Sequence, residues 1–599
     1  MDGGMIVRKR EEIPVSSTWN MADILPSDER WEELYEETEQ SVIQYEDYRG
    51  HLGDSAQNLW DALQFDEKIS YKIETLYVYG KQRSDENTKD SRYQQMAARA
   101  QALSYKAAGL SSWMIPEILG MDENLLESFR KELSQLSRYD RTFQIILAKK
   151  AHTLSAEMEE LLAASMEATQ SPAQIFNLFN NADIRFEPVT DRAGRELPVT
   201  HGTYISLMEH EDRQVRKAAF ESLYKSYGQF SNTLAAVLDA NVKQAAYYAK
   251  ARKYPSSRAY YLAENEIPET VYDQLIEAVH QELLLLHEYV AIRKKALNLE
   301  EIHMYDLYAP LVADSSRSIP FEEGKNMVLE ALAPLGEEYV SLLSQGFDNR
   351  WIDVYENEGK RSGAYSWGVY GVHPYVLLNY NDNLNSVFTL AHEMGHALHS
   401  WYSNHSQSYA DAGYKIFVAE VASTCNEAFL IRYLLNTTED KKEKAYLLNH
   451  FMESFRGTLF RQTMFAEFER EIHRRSQAGE ALTAQLLQEL YHGLNEKYFG
   501  PEMVVDRQID FEWSRIPHFY TPFYVYQYAT GFSAAIAISS RILAGDREVL
   551  EGYFQFLKGG NSMPPIDLLK LCKVDMSTSL PVKEALGVFK QTLEEFKNL

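Results

Sequence analysis

The chain has 599 residues, 45% of them hydrophobic and 25% charged, so it can bury a substantial core and is too long for a single compact unit. Its 87 acidic and 60 basic side chains give a formal net charge of -27, which argues against nucleic acid or an anionic membrane as a partner. Two cysteines exclude a disulfide framework and fit a reducing compartment. Because no stretch reaches the roughly 20 apolar residues of a bilayer span and the N-terminal segment lacks the apolar run of a signal peptide, we expect a cytoplasmic protein.

Amphipathic helices are predicted over most of the chain. Apolar residues recur at helical spacing from Ser27 to about Asn180, for example over Ser91–Leu110. Helical patterns resume at about Asp212 and include residues 321–344, where Pro334 predicts a break. The pattern therefore indicates a mainly α fold.

One short segment interrupts the helices. Between residues 184 and 200, two β-type runs flank the turn-forming sequence Asp191–Arg195, which predicts a β-hairpin. We place a domain boundary near it, with an N-terminal helical region over residues 1–190 and a second region over 200–599.

An aromatic and β-branched segment, residues 362–379, is punctuated by glycine and predicts two short strands. An edge strand containing Gly363, Ala364 and Tyr365 would hold an extended peptide by main-chain hydrogen bonds, which tolerate many side chains. The alternative is a small packed hairpin with no ligand.

The chemistry of the chain centres on an H-E-x-x-H motif formed by His392, Glu393 and His396. On a helix, positions i and i+4 share a face, so both imidazoles can bind one metal ion, and Glu393 is placed to polarise a metal-bound water. Gly395 inside the motif indicates the close approach of a substrate strand or another helix. His399 lies about 10 Å along the helix from His392, too far to share the ion, and we interpret it as a packing or supporting residue.

A catalytic zinc ion takes three protein ligands and keeps one position open. Downstream, Glu420 and Glu427 lie seven residues apart on one face of an otherwise apolar helical segment. Buried carboxylates are costly unless they are paired or bind metal. We therefore expect Glu420 to be the third ligand and Glu427 to accept a hydrogen bond from a ligand histidine. A half-buried helix with glutamates at its wet edge is the alternative.

A third segment places His518 close to four tyrosines in the sequence. Peptide hydrolysis develops negative charge on the carbonyl oxygen, and imidazole and phenol groups are suitable donors to it. We favour Tyr526 as the tyrosine donor, with Tyr520 and Tyr524 as alternatives that we also expect to contact the substrate. An aromatic stripe of this kind also fits an ordinary core.

The segments AHEMGHALHS and FVAEVASTCNE, 24 positions apart from His396 to Glu420, closely resemble the oligoendopeptidase F branch of the thimet oligopeptidase and neurolysin family. The early segment Thr18–Leu25 resembles the same branch, so the likeness extends over nearly the whole chain. It implies a largely helical fold of two lobes that wall a deep channel, with a small β element beside the zinc helix. It also implies His392, His396 and Glu420 as ligands of one zinc ion.

The resemblance implies a zinc-dependent endopeptidase that hydrolyses internal bonds of short peptides, with Glu393 assisting the attack of a zinc-bound water. Short peptides are then the expected partners, and the oligomeric state is left open. Two alternatives remain: a catalytically silent peptide-binding or chaperone-like protein, and a metal hydrolase of non-peptide amides.

Overall fold

The computed structural model describes residues 8–312 and 317–599. The expectation about the N-terminal segment falls largely on residues 1–7, outside the described residues. Within the described ranges, none of the helices is both long and apolar enough to span a membrane.

The predicted mainly α fold is confirmed. The α-helices, in chain order, are α1 Asp28–Ser41, α2 Tyr45–Tyr48, α3 Ala56–Glu86, α4 Ser91–Ser111, α5 Met114–Gly120, α6 Glu123–Glu132, α7 Asp140–Ala148, α8 Ala156–Thr169, α9 Ser171–Leu178, α10 Tyr204–Met208, α11 Arg213–Gln229, α12 Ser231–Ala251, α13 Ser257–Glu264, α14 Glu269–Gln281, α15 Leu283–Ala296, α16 Phe321–Ala331, α17 Glu337–Asp348, α18 Leu384–Ser406, α19 Tyr409–Ala412, α20 Ile416–Thr437, α21 Lys441–Ser454, α22 Arg461–Gln477, α23 Ala484–Phe499, α24 Tyr526–Leu543, α25 Arg547–Leu557, α26 Pro565–Leu571 and α27 Leu580–Lys597.

The strands are few and short. They are β1 Val189–Thr190, β2 Glu196–Leu197, β3 Ile302–His303, β4 Ile352–Asp353, β5 Tyr365–Trp367, β6 Tyr375–Leu377 and β7 Met503–Val504. β1 and β2 form the predicted antiparallel hairpin, and β3 pairs with β7 in parallel.

The chain divides into two compact units, each assembled from three chain segments. The first unit comprises Met1–Ala151, Arg317–Tyr433 and Arg541–Lys573, and the second comprises His152–Ser316, Leu434–Ser540 and Val574–Leu599. The boundary expected near residue 190 falls inside the second unit. Segments distant in sequence therefore build each core.

Two local features predicted from the sequence are confirmed, a helix and a helix break. The expected helix over Ser91–Leu110 is α4, and the expected interruption near Pro334 separates α16 from α17. Gly336 makes that interruption with φ +92, a left-handed conformation that glycine adopts without strain.

The core of the first unit joins N-terminal helices to a three-stranded sheet. The sheet order is β4-β6-β5, with β4 parallel and β5 antiparallel to the central β6. Tyr375 and Leu377 of β6 are buried in the same apolar cluster as Trp19 and Trp31. This packing fixes β6, and β5 is left as an edge strand.

In the second unit, α22 packs against α12, α14 and α23. Phe465 and Phe468 on α22 contact the ring of Phe519, which belongs to a short 3-10 helix, Pro517–Tyr520. The helix packing thereby holds the segment that carries His518.

Candidate metal centre and active site

The H-E-x-x-H motif lies in the middle of α18, a helix of 23 residues. Asn383 caps the start of α18, because its side-chain oxygen accepts a hydrogen bond from the Ser386 N–H at 2.9 Å. The cap fixes where the helix begins and hence which side chains share its face. His392 and His396 lie on that face, with ring centroids 4.9 Å apart.

Glu420, on α20, completes a cluster of three potential metal ligands. Its Oε2 atom lies 3.4 Å from Nε2 of His392 and 3.4 Å from Nε2 of His396. All three donor atoms lie within 4.8 Å of one another. A tetrahedral zinc ion with bonds of ~2.0–2.1 Å keeps its donor atoms about 3.3–3.4 Å apart. The three residues therefore fit a zinc ion.

Two further side chains hold the ligands in place. Oε1 of Glu427 lies 3.2 Å from Nδ1 of His392, so this imidazole can keep Nε2 free for a metal. The hydroxyl of Ser423 donates to Oε2 of Glu420 at 3.2 Å. The sequence indicated Glu427 because it shares a face with Glu420, whereas Ser423 was missed.

The electrostatics of the cluster favour a positive charge between its donor atoms. Burial alone would lower the pKa of His392, but hydrogen bonds to Glu420 and Glu427 raise it to about 10. Burial likewise opposes ionisation of Glu420, yet its hydrogen bonds to the two imidazoles hold its pKa far below its usual range. A metal cation supplies the charge that this donor set favours.

Glu393 lies beside the cluster but outside it. Its side chain is not among the three grouped donor atoms, and the residue is 7% exposed. Burial raises its pKa, and the two motif imidazoles oppose that rise. It is therefore a carboxylate next to a metal centre that does not occupy a ligand position, the arrangement required of a general base.

Gly395 is the point where α18 and α20 come into contact. A Cβ there would lie 2.5 Å from the Cα of Ser423 and 2.8 Å from the carbonyl oxygen of Ala422. The close approach predicted for this glycine is thus made by another helix. It brings Glu420 within reach of the two histidines.

Asn426 is a functional residue that the sequence reading missed. Its Nδ2 donates to the carbonyl oxygen of Ala391 at 3.0 Å, and its Oδ1 accepts from the Tyr339 hydroxyl at 3.0 Å. It therefore joins α20 to α18 immediately before the first ligand, and to α17. The sequence signal for Asn426 was an amide side chain within the otherwise apolar segment that forms α20.

His399 is a packing residue, as expected. It is 1% exposed, it lies outside the ligand cluster among the described residues, and its ring stacks on Tyr414 with centroids 3.8 Å apart. Burial lowers its pKa to about 3, so it is neutral at physiological pH.

The predicted strand pair beside the metal helix is β5 and β6. Gly363 and Ala364 immediately precede β5, and Gly363 has φ +84 with open space around its Cα. The hydroxyl of Tyr365 donates to Asp85 at 3.0 Å, so its phenol group already has a hydrogen-bond partner within the protein. In the part of the chain that the structure describes, β5 pairs with β6 alone, so these three positions lie at a sheet edge.

The His518 segment lies in the second unit. Nε2 of His518 lies 3.1 Å from the Tyr528 hydroxyl, and its ring stacks on Tyr524 with centroids 5.9 Å apart. Burial and, to a lesser extent, Arg461 lower the pKa of His518, so the imidazole is neutral at neutral pH. His518, Tyr524 and Tyr528 thus form one cluster of hydrogen-bonding side chains.

The other two tyrosines of this segment have different surroundings. Tyr526, the first residue of α24, is 1% exposed, and its ring contacts Tyr272 at 5.0 Å. Tyr520 stacks on Phe176 with centroids 4.2 Å apart. The sequence did not single out Tyr528, although its hydroxyl lies within hydrogen-bond distance of Nε2 of His518.

Two imidazoles four residues apart on one helix, a carboxylate from a second helix and a neighbouring free glutamate define the metal centre of a metallopeptidase. Comparison with known proteins agrees. The model described as Peptidase family M3 matches residues 206–588, and the model described as Oligopeptidase F matches residues 117–186. The chain belongs to peptidase family M3.

Relatives align over nearly the full length. Oligopeptidase PepF of Bacillus subtilis is 48% identical over 98% of this chain and 88% of its own, and an Oligoendopeptidase F homolog of Lactococcus lactis subsp. lactis is 42% identical over 99% of each. The crystal structure of oligoendopeptidase-F from Enterococcus faecium is 38% identical, covers 95% of this chain and 99% of its own, and has a TM-score of 0.74. Membership of this family implies a metal, and His392, His396 and Glu420 form a cluster among the described residues that could hold it.

Proposed function

We propose that the protein is a zinc-dependent endopeptidase that hydrolyses internal bonds of short peptides. The observation that carries this proposal is the set of His392, His396 and Glu420, whose donor atoms have the spacing of a tetrahedral zinc site beside the free carboxylate of Glu393. The names of the relatives support short peptides as substrates.

His392, His396 and Glu420 would hold the zinc ion. When bound, zinc supplies Lewis acidity that makes a water acidic and polarises the scissile carbonyl. Glu393 is the general base: its carboxylate takes the proton from the attacking water and returns it to the nitrogen of the leaving amine. Glu427 keeps the imidazole of His392 oriented while this occurs.

We also propose that His518 and a tyrosine of its segment donate hydrogen bonds to the carbonyl oxygen as negative charge develops on it. Neutral imidazole and phenol groups are suitable donors. Tyr528 and Tyr524, which contact His518, are better supported in this role than Tyr526, because the Tyr526 side chain is packed in the core.

The free edge of β5 is the proposed docking site for the peptide backbone, with Gly363 and Ala364 at its start. Main-chain recognition explains how one enzyme accepts peptides of many sequences. Cys425 and Cys572 are both buried and are not joined in a disulfide, which supports a reducing compartment, and we propose that the enzyme works in the cytoplasm.

The test is hydrolysis of a mixture of short peptides by the purified protein, with products identified by mass spectrometry. Three samples are compared: the protein as isolated, the protein stripped with a chelator, and the stripped protein reloaded with zinc. We expect internal cleavage in the first and third samples and none in the second.

The outcomes separate this proposal from its alternatives. Peptide binding without cleavage in the zinc-loaded sample would identify a binding or chaperone-like protein. Zinc-dependent hydrolysis of simple amides, with peptides left intact, would identify a different metal hydrolase. Cleavage that persists after metal removal would contradict the proposed chemistry.

A further inference from the structure

Two adjoining cavities lie in the first unit. One has a volume of about 440 Å³ and the other a volume of about 480 Å³, and Glu74 and Tyr409 line both. The smaller, called here the near cavity, is also lined by Gly368, Tyr370, Ser400 and Asn404. The larger, the far cavity, is also lined by Tyr45, Asp66, Tyr77 and Gln101.

The near cavity and the metal centre share helix α18. Ser400 and Asn404 follow His392 and His396 at intervals of four residues along α18, so all four lie along one stripe of the helix. A rise of about 1.5 Å per residue places Ser400 about 6 Å beyond His396. The cavity is thus about two extended peptide residues from the metal ligands.

Strand β5 ends beside the near cavity. Gly368 follows directly after β5, and a Cβ there would lie 2.4 Å from the Cβ of Ser400. The end of β5 therefore packs directly against α18 at the wall of the near cavity, so a peptide paired with β5 would extend toward that cavity.

The polar groups of the two cavities are mainly acidic and phenolic. Asp66 accepts a hydrogen bond from the Tyr45 hydroxyl at 2.7 Å, and Glu74 accepts one from Tyr409. Neither carboxylate forms an ion pair with any described residue, although burial raises the pKa of both. Two half-buried carboxylates thus lack the cation that such groups ordinarily have.

Arg138 and Arg141 do not neutralise the carboxylates of Asp66 and Glu74. Arg138 is paired with Glu67, and burial raises the pKa of Asp411 while the charge of Arg141 opposes that rise. These two arginines are matched by two other acids. Asp66 and Glu74 remain as a surplus of negative charge where the cavities meet.

The aromatic lining suits the same ligand. Tyr370 and Tyr409 are in edge contact with centroids 5.3 Å apart, and Tyr71 lies 5.8 Å from Tyr409. The faces of such rings attract ammonium and guanidinium groups. Carboxylates and tyrosine rings together form a site for a positively charged nitrogen.

We propose that these cavities are a substrate subsite that binds a positively charged nitrogen of the peptide, from a lysine or arginine side chain or from a free N-terminus. The inference rests on the proposed peptidase function and adds a preference to it. Glu74 is the principal charged contact, and Asp66 extends the site into the far cavity.

The experiment compares cleavage of matched fluorogenic peptides by the zinc-loaded enzyme. Lysine or neutral glutamine is placed in turn at each position around the scissile bond, and every peptide is prepared with a free and with an acetylated N-terminus. We expect one position, or the free N-terminus, to raise kcat/KM about tenfold, as one charge-assisted contact does. Glu74→Gln and Asp66→Asn should remove that preference, so that charged and neutral peptides are cleaved with equal kcat/KM.

Asp61→Asn is the matched control, because Asp61 is exposed on the same helix, α3, and should leave the preference intact. The lysine and acetylation arms tell which nitrogen enters the subsite. Equal kcat/KM for charged and neutral peptides in the wild type, or a preference that survives Glu74→Gln, would overturn the inference while the peptidase function stands. Failure of the zinc-loaded wild type to cleave any peptide would instead overturn the proposed function.

Discussion

Replacing Gly395 by alanine tests whether the contact between α18 and α20 creates the metal centre. The added Cβ would lie 2.5 Å from the Cα of Ser423, whereas ordinary contacts begin at 3.4 Å. The obstructing atoms belong to backbone, so the two helices must separate by about 1 Å. Such overpacking costs about 3 kcal/mol at the upper end of its range, against a gain of ~1 kcal/mol in helix propensity. We expect the free energy of unfolding to fall by about 2 kcal/mol.

The larger effect of Gly395→Ala should be on metal binding. Metal–ligand distances are maintained to about ±0.2 Å, so a displacement of Glu420 by about 1 Å removes it from the ligand set. We expect zinc affinity to fall by at least ~100-fold, measured by competition with a fluorescent chelator. Gly109→Ala in α4 is the control, because its Cβ would meet open space and should change neither property adversely. A Gly395→Ala protein with wild-type stability and zinc affinity would refute the reasoning.

Three further predictions concern Glu427, Glu469 and the tyrosines that follow His518. Glu427→Ala should lower zinc affinity ~10–100-fold because His392 loses its hydrogen-bond partner, and Glu427→Gln should lower it less. Equal zinc affinities of Glu427→Ala and the wild type in the chelator assay would contradict this. Burial raises the pKa of Glu469 to about 8, so the folded protein holds this proton more tightly than the unfolded chain does. The free energy of unfolding should therefore fall by up to ~1.4 kcal/mol per pH unit as pH rises from 4.5 to 8. Glu469→Gln should remove that slope in denaturant titrations, and an unchanged slope would show that Glu469 is not its source. Tyr528→Phe should lower kcat by at least ~10-fold, whereas Tyr526→Phe should chiefly affect stability, and the reverse result in peptide assays would return the donor role to Tyr526.

The sequence predicted much of the metal centre because its chemistry is local. Two histidines four residues apart share a helix face whatever the rest of the fold does, and Glu420 and Glu427 are conspicuous in an apolar segment. Gly395 was also informative, since glycine inside a helix is costly without a packing reason.

The remainder depends on tertiary packing that a linear pattern does not contain. Asn426 acquires its role only when α17, α18 and α20 come together. Tyr526 is buried because α24 packs its ring against Tyr272 of α14, a contact that spacing within the segment does not reveal. The assembly of each compact unit from three chain segments likewise has no signature in local periodicity.

The central claim is that Glu393 acts as the base beside a zinc ion held by His392, His396 and Glu420. The most direct measurement is the turnover of Glu393→Gln in a preparation whose zinc content has been determined by elemental analysis. The account predicts wild-type zinc content and a loss in kcat of at least ~1,000-fold, within the range for removal of a general base. A zinc-loaded Glu393→Gln protein that cleaves peptides at the wild-type rate would contradict it.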